Sequence, residues 1–171
     1  NLVGDYNLPH VLCAITIGKY FKVDDKNIKA AIENYTPSNS HSQLIESGSN
    51  KIILDAYNAN PTSMKAAIEN FAHLPSANKI LILGGMMELG KDSIYEHENL
   101  ISLINKYKWN TVLLVGGDFK NIHGNYLYVN YADEAAAWLK QQDIQQSYFL
   151  IKGSRSIQLE KVLTAFKISS T

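Results

Sequence analysis

A carboxylate, a phenol and two amides crowd one short turn of this chain, Asp55-Ala56-Tyr57-Asn58-Ala59-Asn60-Pro61. Together they offer an acceptor for hydroxyl groups, an aromatic face and amides that bond either way. A second turn, Lys152-Gly153-Ser154-Arg155, carries two cations and a hydroxyl. That set suits a carboxylate or a phosphate, and a guanidinium grips either through two parallel hydrogen bonds. A third, Gly84-Gly85-Met86-Met87-Glu88-Leu89-Gly90, has glycines that let a backbone approach a ligand closely. The first two also have a plainer reading. The first is a capped strand-to-helix turn, and in the last-strand turn Lys152 and Arg155 stand in water with Ser154 as a helix cap.

These turns need elements to hold them. Ile52, Ile53 and Leu54 form a short apolar run suited to a strand buried on both faces, and Asn60 with Pro61 is a good helix start. Strands are expected at Leu44–Glu46, Lys51–Asp55, Lys79–Gly84, Thr111–Gly116, Tyr126–Asn130 and Ser147–Lys152. Helical periodicity fills Pro61–His73, Ser93–Tyr107, Ala132–Gln142 and Ser156–Lys167. The alternation predicts an α/β fold, a mostly parallel sheet of about six strands flanked by helices. Right-handed crossovers then gather the turns after Asp55, Gly84, Gly116 and Lys152 on one rim. In open α/β sheets that edge is where ligands bind, and a helix N-terminus there favours anions.

Before this unit, Val11, Ala14, Ile15, Gly18 and Phe21 recur at helical spacing behind Pro9, and Ile28, Ala31, Ile32 and Tyr35 share a face of a second helix. Two helices bury too little to form a domain. The polar, turn-forming stretch 36–42 reads as a linker, so residues 1–42 and 43–171 are expected to belong to different units.

In 171 residues, 16 basic and 16 acidic side chains cancel, so no global field draws the chain to nucleic acid or anionic membrane. No apolar run approaches the roughly 20 residues that span a bilayer. The single cysteine, Cys13, sits in an apolar helical pattern, fits a reduced cytosolic setting and reads as core filler. Glu96-His97-Glu98 is no metal cluster, because adjacent helical residues point apart, and it reads as a solvated face. His10, His73 and His123 read as surface or cap residues, and Trp109 and Trp138 as packing between helix and sheet. There is no Gly-x-x-x-x-Gly-Lys-Ser/Thr loop, so nothing in the chain cradles a triphosphate unaided. Neither a metal site nor a catalytic residue is expected within it.

In this order, residues 55–64, 84–90 and 152–155 closely resemble the C-terminal domain of the MurF family, and Gly4-Asp5-Tyr6-Asn7 resembles the end of that family's central ATPase domain. These ligases add D-Ala-D-Ala to UDP-MurNAc-tripeptide in peptidoglycan synthesis, using ATP and Mg2+ and passing through an acyl phosphate. The resemblance implies a Rossmann-like domain over 43–171, a helical remnant of the ATPase domain over 1–42, and further domains upstream of Asn1. It also implies a cytoplasmic, monomeric enzyme whose isolated C-terminal fragment is inactive.

By the same resemblance Asp55 accepts hydrogen bonds from the ATP ribose, Tyr57 and Asn58 lie beside it, and Asn7 lies near adenine. His41 stands where the family usually has an Arg that reaches the nucleotide phosphates, and a shorter, mostly neutral imidazole should bind them more weakly. For the dipeptide, Lys152, Ser154 and Arg155 suit the carboxylate, and Met87, Glu88 and Leu89 line the other side. Two other readings remain at this point: a free-standing α/β nucleotide-binding or sensing module without catalysis, and a protein-interaction domain docking through its rim loops.

Overall fold

The structure is a computed structural model that describes residues 7–35 and 42–167. His41 and the tetrapeptide before Leu8, apart from Asn7, lie outside the described residues, as does most of the expected linker.

Two helices come first, α1 (Leu8–Tyr20) and α2 (Asp25–Asn34). Asp24 caps α2 by accepting from the Lys26 amide at 2.9 Å. Ile28 packs so closely on Gly18 that a Cβ there would sit 2.8 Å from its side chain. Neither helix contains a buried residue. Leu8, Leu12, Ile17, Tyr20 and Phe21 are exposed, and Cys13 with them. The expectation that Cys13 fills a core is therefore wrong: α2 packs on the side of α1 that carries Gly18, and Cys13 lies away from it, exposed.

The sheet has six strands, β1 (Gln43–Ser47), β2 (Asn50–Asp55), β3 (Lys79–Gly84), β4 (Thr111–Val115), β5 (Leu127–Val129) and β6 (Tyr148–Lys152), in the order β1-β2-β6-β3-β4-β5. Only β1 runs antiparallel, hairpinned onto β2 through Gly48. The others are parallel, and β6, last in the chain, inserts between β2 and β3. Alternate side chains along each strand feed two cores. On one face Ile53, Leu81, Leu83, Leu114 and Leu150 meet α3 (Pro61–Ala72) and α4 (Ser93–Ile104). On the other Ile52, Leu54, Ile82, Leu113, Phe149 and Ile151 meet α5 (Ala132–Lys140) and the C-terminal segment.

The start of α3 forms as its sequence dictates. Asn60 Oδ1 accepts from the Ser63 amide at 2.8 Å, Ser63 Oγ accepts from the Asn60 amide at 3.1 Å, and Pro61 takes the first turn. Trp109 stacks on Phe71 at 6.0 Å and donates to the Ile104 carbonyl, tying α3 and α4 to the sheet.

The helix expected over 156–167 is absent. Two 3-10 turns, Arg155–Ile157 and Leu159–Ala165, take its place, because Gln158 between them adopts the left-handed conformation at φ +58°. A left-handed residue cannot propagate an α-helix, and the chain re-enters its core only at Leu159 and Val162. Replacing Gln158 by Gly should raise stability by about 0.5 kcal/mol, since relief of the left-handed cost outweighs the looser unfolded chain. Gln158→Val should lower it by about 1 kcal/mol or more. Urea midpoints at constant slope read both, and two variants indistinguishable from the parent would show that residue 158 stores no strain.

Candidate functional site

The four expected turns do share one rim, at the carboxyl ends of β2, β6, β3 and β4. The chain leaves β2 and β3 toward the face of α3 and α4, whereas it leaves β6 toward the opposite face, where Leu159 and Val162 are buried. Each flank of β6 is thus a place where neighbouring connections diverge. In open α/β sheets such a divergence is the usual place for a ligand crevice above the strand ends.

On the β2 side the crevice is closed at its base by an ion pair. Lys152 Nζ lies 2.6 Å from Asp55 Oδ2 and donates to the Asn58 carbonyl at 3.1 Å. The lysine side chain is 2% exposed and the aspartate side chain 10%. Lys152, expected as a cation offered to a ligand carboxylate, is instead the internal counter-charge of Asp55 and the anchor of the turn that follows it. Above this pair the Arg155 guanidinium lies over the Tyr57 ring at 5.8 Å, and both side chains are exposed. Arg155 is a cation that this rim presents to solvent.

On the β3 side the crevice is bridged. Ser154 is buried and its Oγ accepts from the Met87 amide at 2.9 Å, while its own amide donates to the Gly85 carbonyl at 3.3 Å. It neither caps a helix nor stands open to solvent, correcting both expectations for its hydroxyl. The glycines serve the same bridging. A Cβ on Gly85 would sit 2.7 Å from Gly117 Cα, and one on Gly153 2.8 Å from Gly84 Cα. They allow rim loops to touch one another, rather than a ligand to approach.

Met87 and Glu88 are exposed and Leu89 is half-buried on the loop after β3. Glu88 adopts φ +65°, an uncommon conformation for a residue with a Cβ. Asn58 is exposed beside Tyr57, and Asn7 is buried at the start of α1. Asp55, Glu88 and Arg155 therefore stand on neighbouring strand ends and not on separate faces, the arrangement that would have favoured the interaction-domain reading.

His97 was missed. It is fully buried on α4, its Nε2 accepts from the Met86 amide at 3.0 Å, and its Nδ1 lies 2.7 Å from the Ser93 carbonyl. Its signal lay in helical spacing with Leu100 and Ile104, both buried on the same helix. Among the described residues no three His, Cys, Asp or Glu side chains gather to hold a metal. At the edge strand β5, burial holds the Tyr126 and Tyr128 phenols above their usual range, and the Glu134 carboxylate lifts Tyr128 further.

Fold and site together define an open, mostly parallel α/β domain with polar turns gathered at its strand ends. The model of the family described as "Mur ligase, glutamate ligase domain" matches residues 42–155, and the chain belongs to that family. A UDP-N-acetylmuramoyl-tripeptide--D-alanyl-D-alanine ligase of Rickettsia prowazekii is 32% identical over 131 residues, covering 73% of this chain and 29% of the relative. The Bacillus subtilis ligase of the same name is 29% identical over 173 residues, covering 95% of this chain and 38% of the relative. A crystal structure of MurF from Acinetobacter baumannii superposes with a TM-score of 0.81 at 25% identity, covering 95% of this chain and 38% of that one. MurF ligase from Thermotoga maritima in complex with ADP gives 0.80 at 22% identity, covering 97% and 39%. The chain thus spans between 29% and 38% of the length of these curated relatives.

The ion pair makes a stability prediction. Lys152→Met leaves a buried carboxylate without its cation and should cost about 3–5 kcal/mol, whereas adding Asp55→Leu to it should restore at least half of that loss. Guanidinium denaturation of the single and double variants checks it. A double variant no more stable than Lys152→Met would mean that the loss comes from packing alone.

Proposed function

We propose that this chain is the C-terminal part of an ATP-dependent ligase that joins D-Ala-D-Ala to UDP-MurNAc-tripeptide in cytoplasmic peptidoglycan synthesis. Residues 1–42 form the end of a preceding ATPase domain and 43–171 a closing domain. The supporting observation is the juxtaposition, over one buried ion pair, of an Asp-Tyr-Asn turn suited to a ribose and an arginine turn suited to a peptide carboxylate. Names shared by the relatives point to the same reaction.

When bound, ATP phosphorylates the tripeptide's terminal carboxylate, and Mg2+, held by parts of the protein outside this segment, neutralises the phosphates. The residues here position and enclose. Asp55, held in place by Lys152, is the acceptor for the ribose hydroxyls. Tyr57 and Asn58 flank that sugar, with Asn7 toward the base and His41 toward the phosphates. Arg155 takes the dipeptide carboxylate through paired hydrogen bonds, while Met87, Glu88 and Leu89 line its other side. Lys152 and Ser154 act from beneath, by fixing the loops that carry these groups. The intact enzyme works as a monomer, and the isolated chain turns over nothing.

Phosphate release by the intact protein, with ATP, UDP-MurNAc-tripeptide and D-Ala-D-Ala, should depend on the dipeptide and be absent for this chain alone. Arg155→Ala should raise the dipeptide Michaelis constant about 10–100-fold, the worth of a charge-assisted pair, while leaving that for ATP within about twofold. An unchanged dipeptide constant would remove Arg155 from the site.

A further inference from the structure

We infer that His97 is a positioning residue for the loop after β3, and that the loop holds the Glu88 carboxylate at the rim to meet the amino end of the incoming dipeptide. This rests on the ligase reading above and assigns a charge to each end of its second substrate.

The hydrogen bonds fix the state of the ring. The Ser93 carbonyl only accepts, so Nδ1, 2.7 Å away, carries the proton. The Met86 amide only donates, so Nε2, at 3.0 Å, offers a lone pair. These two partners select the neutral imidazole with its proton on Nδ1. Phe119 closes the pocket edge to face, with ring centroids 4.7 Å apart. Burial is complete. A buried, doubly satisfied histidine joining a helix to a loop amide is a rigid strut.

What it braces is specific. The Met86 amide goes to His97 and the next amide, Met87, goes to Ser154 Oγ at 2.9 Å, so two successive peptide units are pinned from opposite sides. Immediately after them the chain turns through Glu88 at φ +65°, where glycine is the ordinary choice. The side chain at this left-handed position is charged and exposed. Among the described residues Glu88 makes no ion pair. Glu88 follows β3 and Arg155 follows β6, which are neighbouring strands. A dipeptide carries an ammonium at one end and a carboxylate at the other, and the rim where these strands end carries the complement of each.

The test uses the intact protein and three variants. A glutamine at 97 puts an amide oxygen where Nε2 stands, and an asparagine reaches only the Nδ1 position. Thus His97→Gln keeps an acceptor for Met86 and His97→Asn loses it. His97→Asn should raise the dipeptide Michaelis constant about tenfold with that for ATP within about twofold, while His97→Gln should stay within about threefold of the parent. Glu88→Gln should raise the dipeptide constant about tenfold as well. Amide hydrogen exchange over residues 84–91 should quicken about tenfold in His97→Asn and not in His97→Gln. Equal behaviour of the two His97 variants in exchange overturns the strut. A dipeptide constant unmoved by Glu88→Gln overturns the amine contact. If the parent protein releases no dipeptide-dependent phosphate, the ligase reading and the Glu88 assignment fall together, and exchange alone still decides the part played by His97.

Discussion

The contact on which the rim depends is the one between Lys152 and Asp55. Strand β6 is the last in the chain and the central one to the site, and without it the sheet is two separate pieces, because β6 pairs with β2 on one side and β3 on the other. Apolar strands alone specify this insertion loosely, because runs such as Ile52-Ile53-Leu54 and Phe149-Leu150-Ile151 bury both faces whatever their register. A carboxylate and an ammonium at the final rung do specify it. A slip of the register would leave two charges buried apart, at a cost of several kcal/mol each. Because Lys152 also donates to the Asn58 carbonyl, the same contact extends beyond the strand and sets the course of the turn that carries Tyr57.

From there the rim is built by close approach rather than by bulk. Gly84 touches Gly153 and Gly85 touches Gly117 at distances that leave no room for a Cβ, so three loops meet backbone to backbone. Ser154 and His97 then spend their polar atoms on the Met87 and Met86 amides. The backbone at the rim is consequently held by side chains, and the groups facing water include Tyr57, Asn58, Met87, Glu88 and Arg155.

Much of this was legible in the sequence. Apolar runs bounded by turns gave the strands, Asn60-Pro61 gave the start of α3, and crossover handedness gave the shared rim. The misreadings have a common cause, since a sequence shows a charge without its partner. Lys152 and Ser154 looked available because their partners, Asp55 and Met87, lie 97 and 67 residues away and meet them only through the insertion of β6. His97 was read with the acids on either side of it, although its spacing to Leu100 and Ile104 marked it as inward. Cys13 failed the other way: its helix has an apolar stripe, but burial requires a covering surface, and among the described residues α2 covers the Gly18 side of the helix and not Cys13. For Gln158 there was no signal, because glutamine is an ordinary helix former and only the return path to Leu159 forces it left-handed.

The two charge systems at this rim differ in kind, and the difference bears on recognition. Lys152 and Asp55 neutralise each other out of water, so they contribute geometry and little field. Arg155 is steadied by the Tyr57 ring instead of by an acid, and among the described residues it makes no ion pair. An aromatic face engages the guanidinium through its plane and leaves the in-plane N–H groups directed outward. A carboxylate partner in the place of Tyr57 would have occupied those donors and cancelled the charge before any ligand arrived. The pairing of an arginine with a phenol, over a lysine already paired with an acid, is therefore the arrangement that keeps a cation both oriented and unsatisfied.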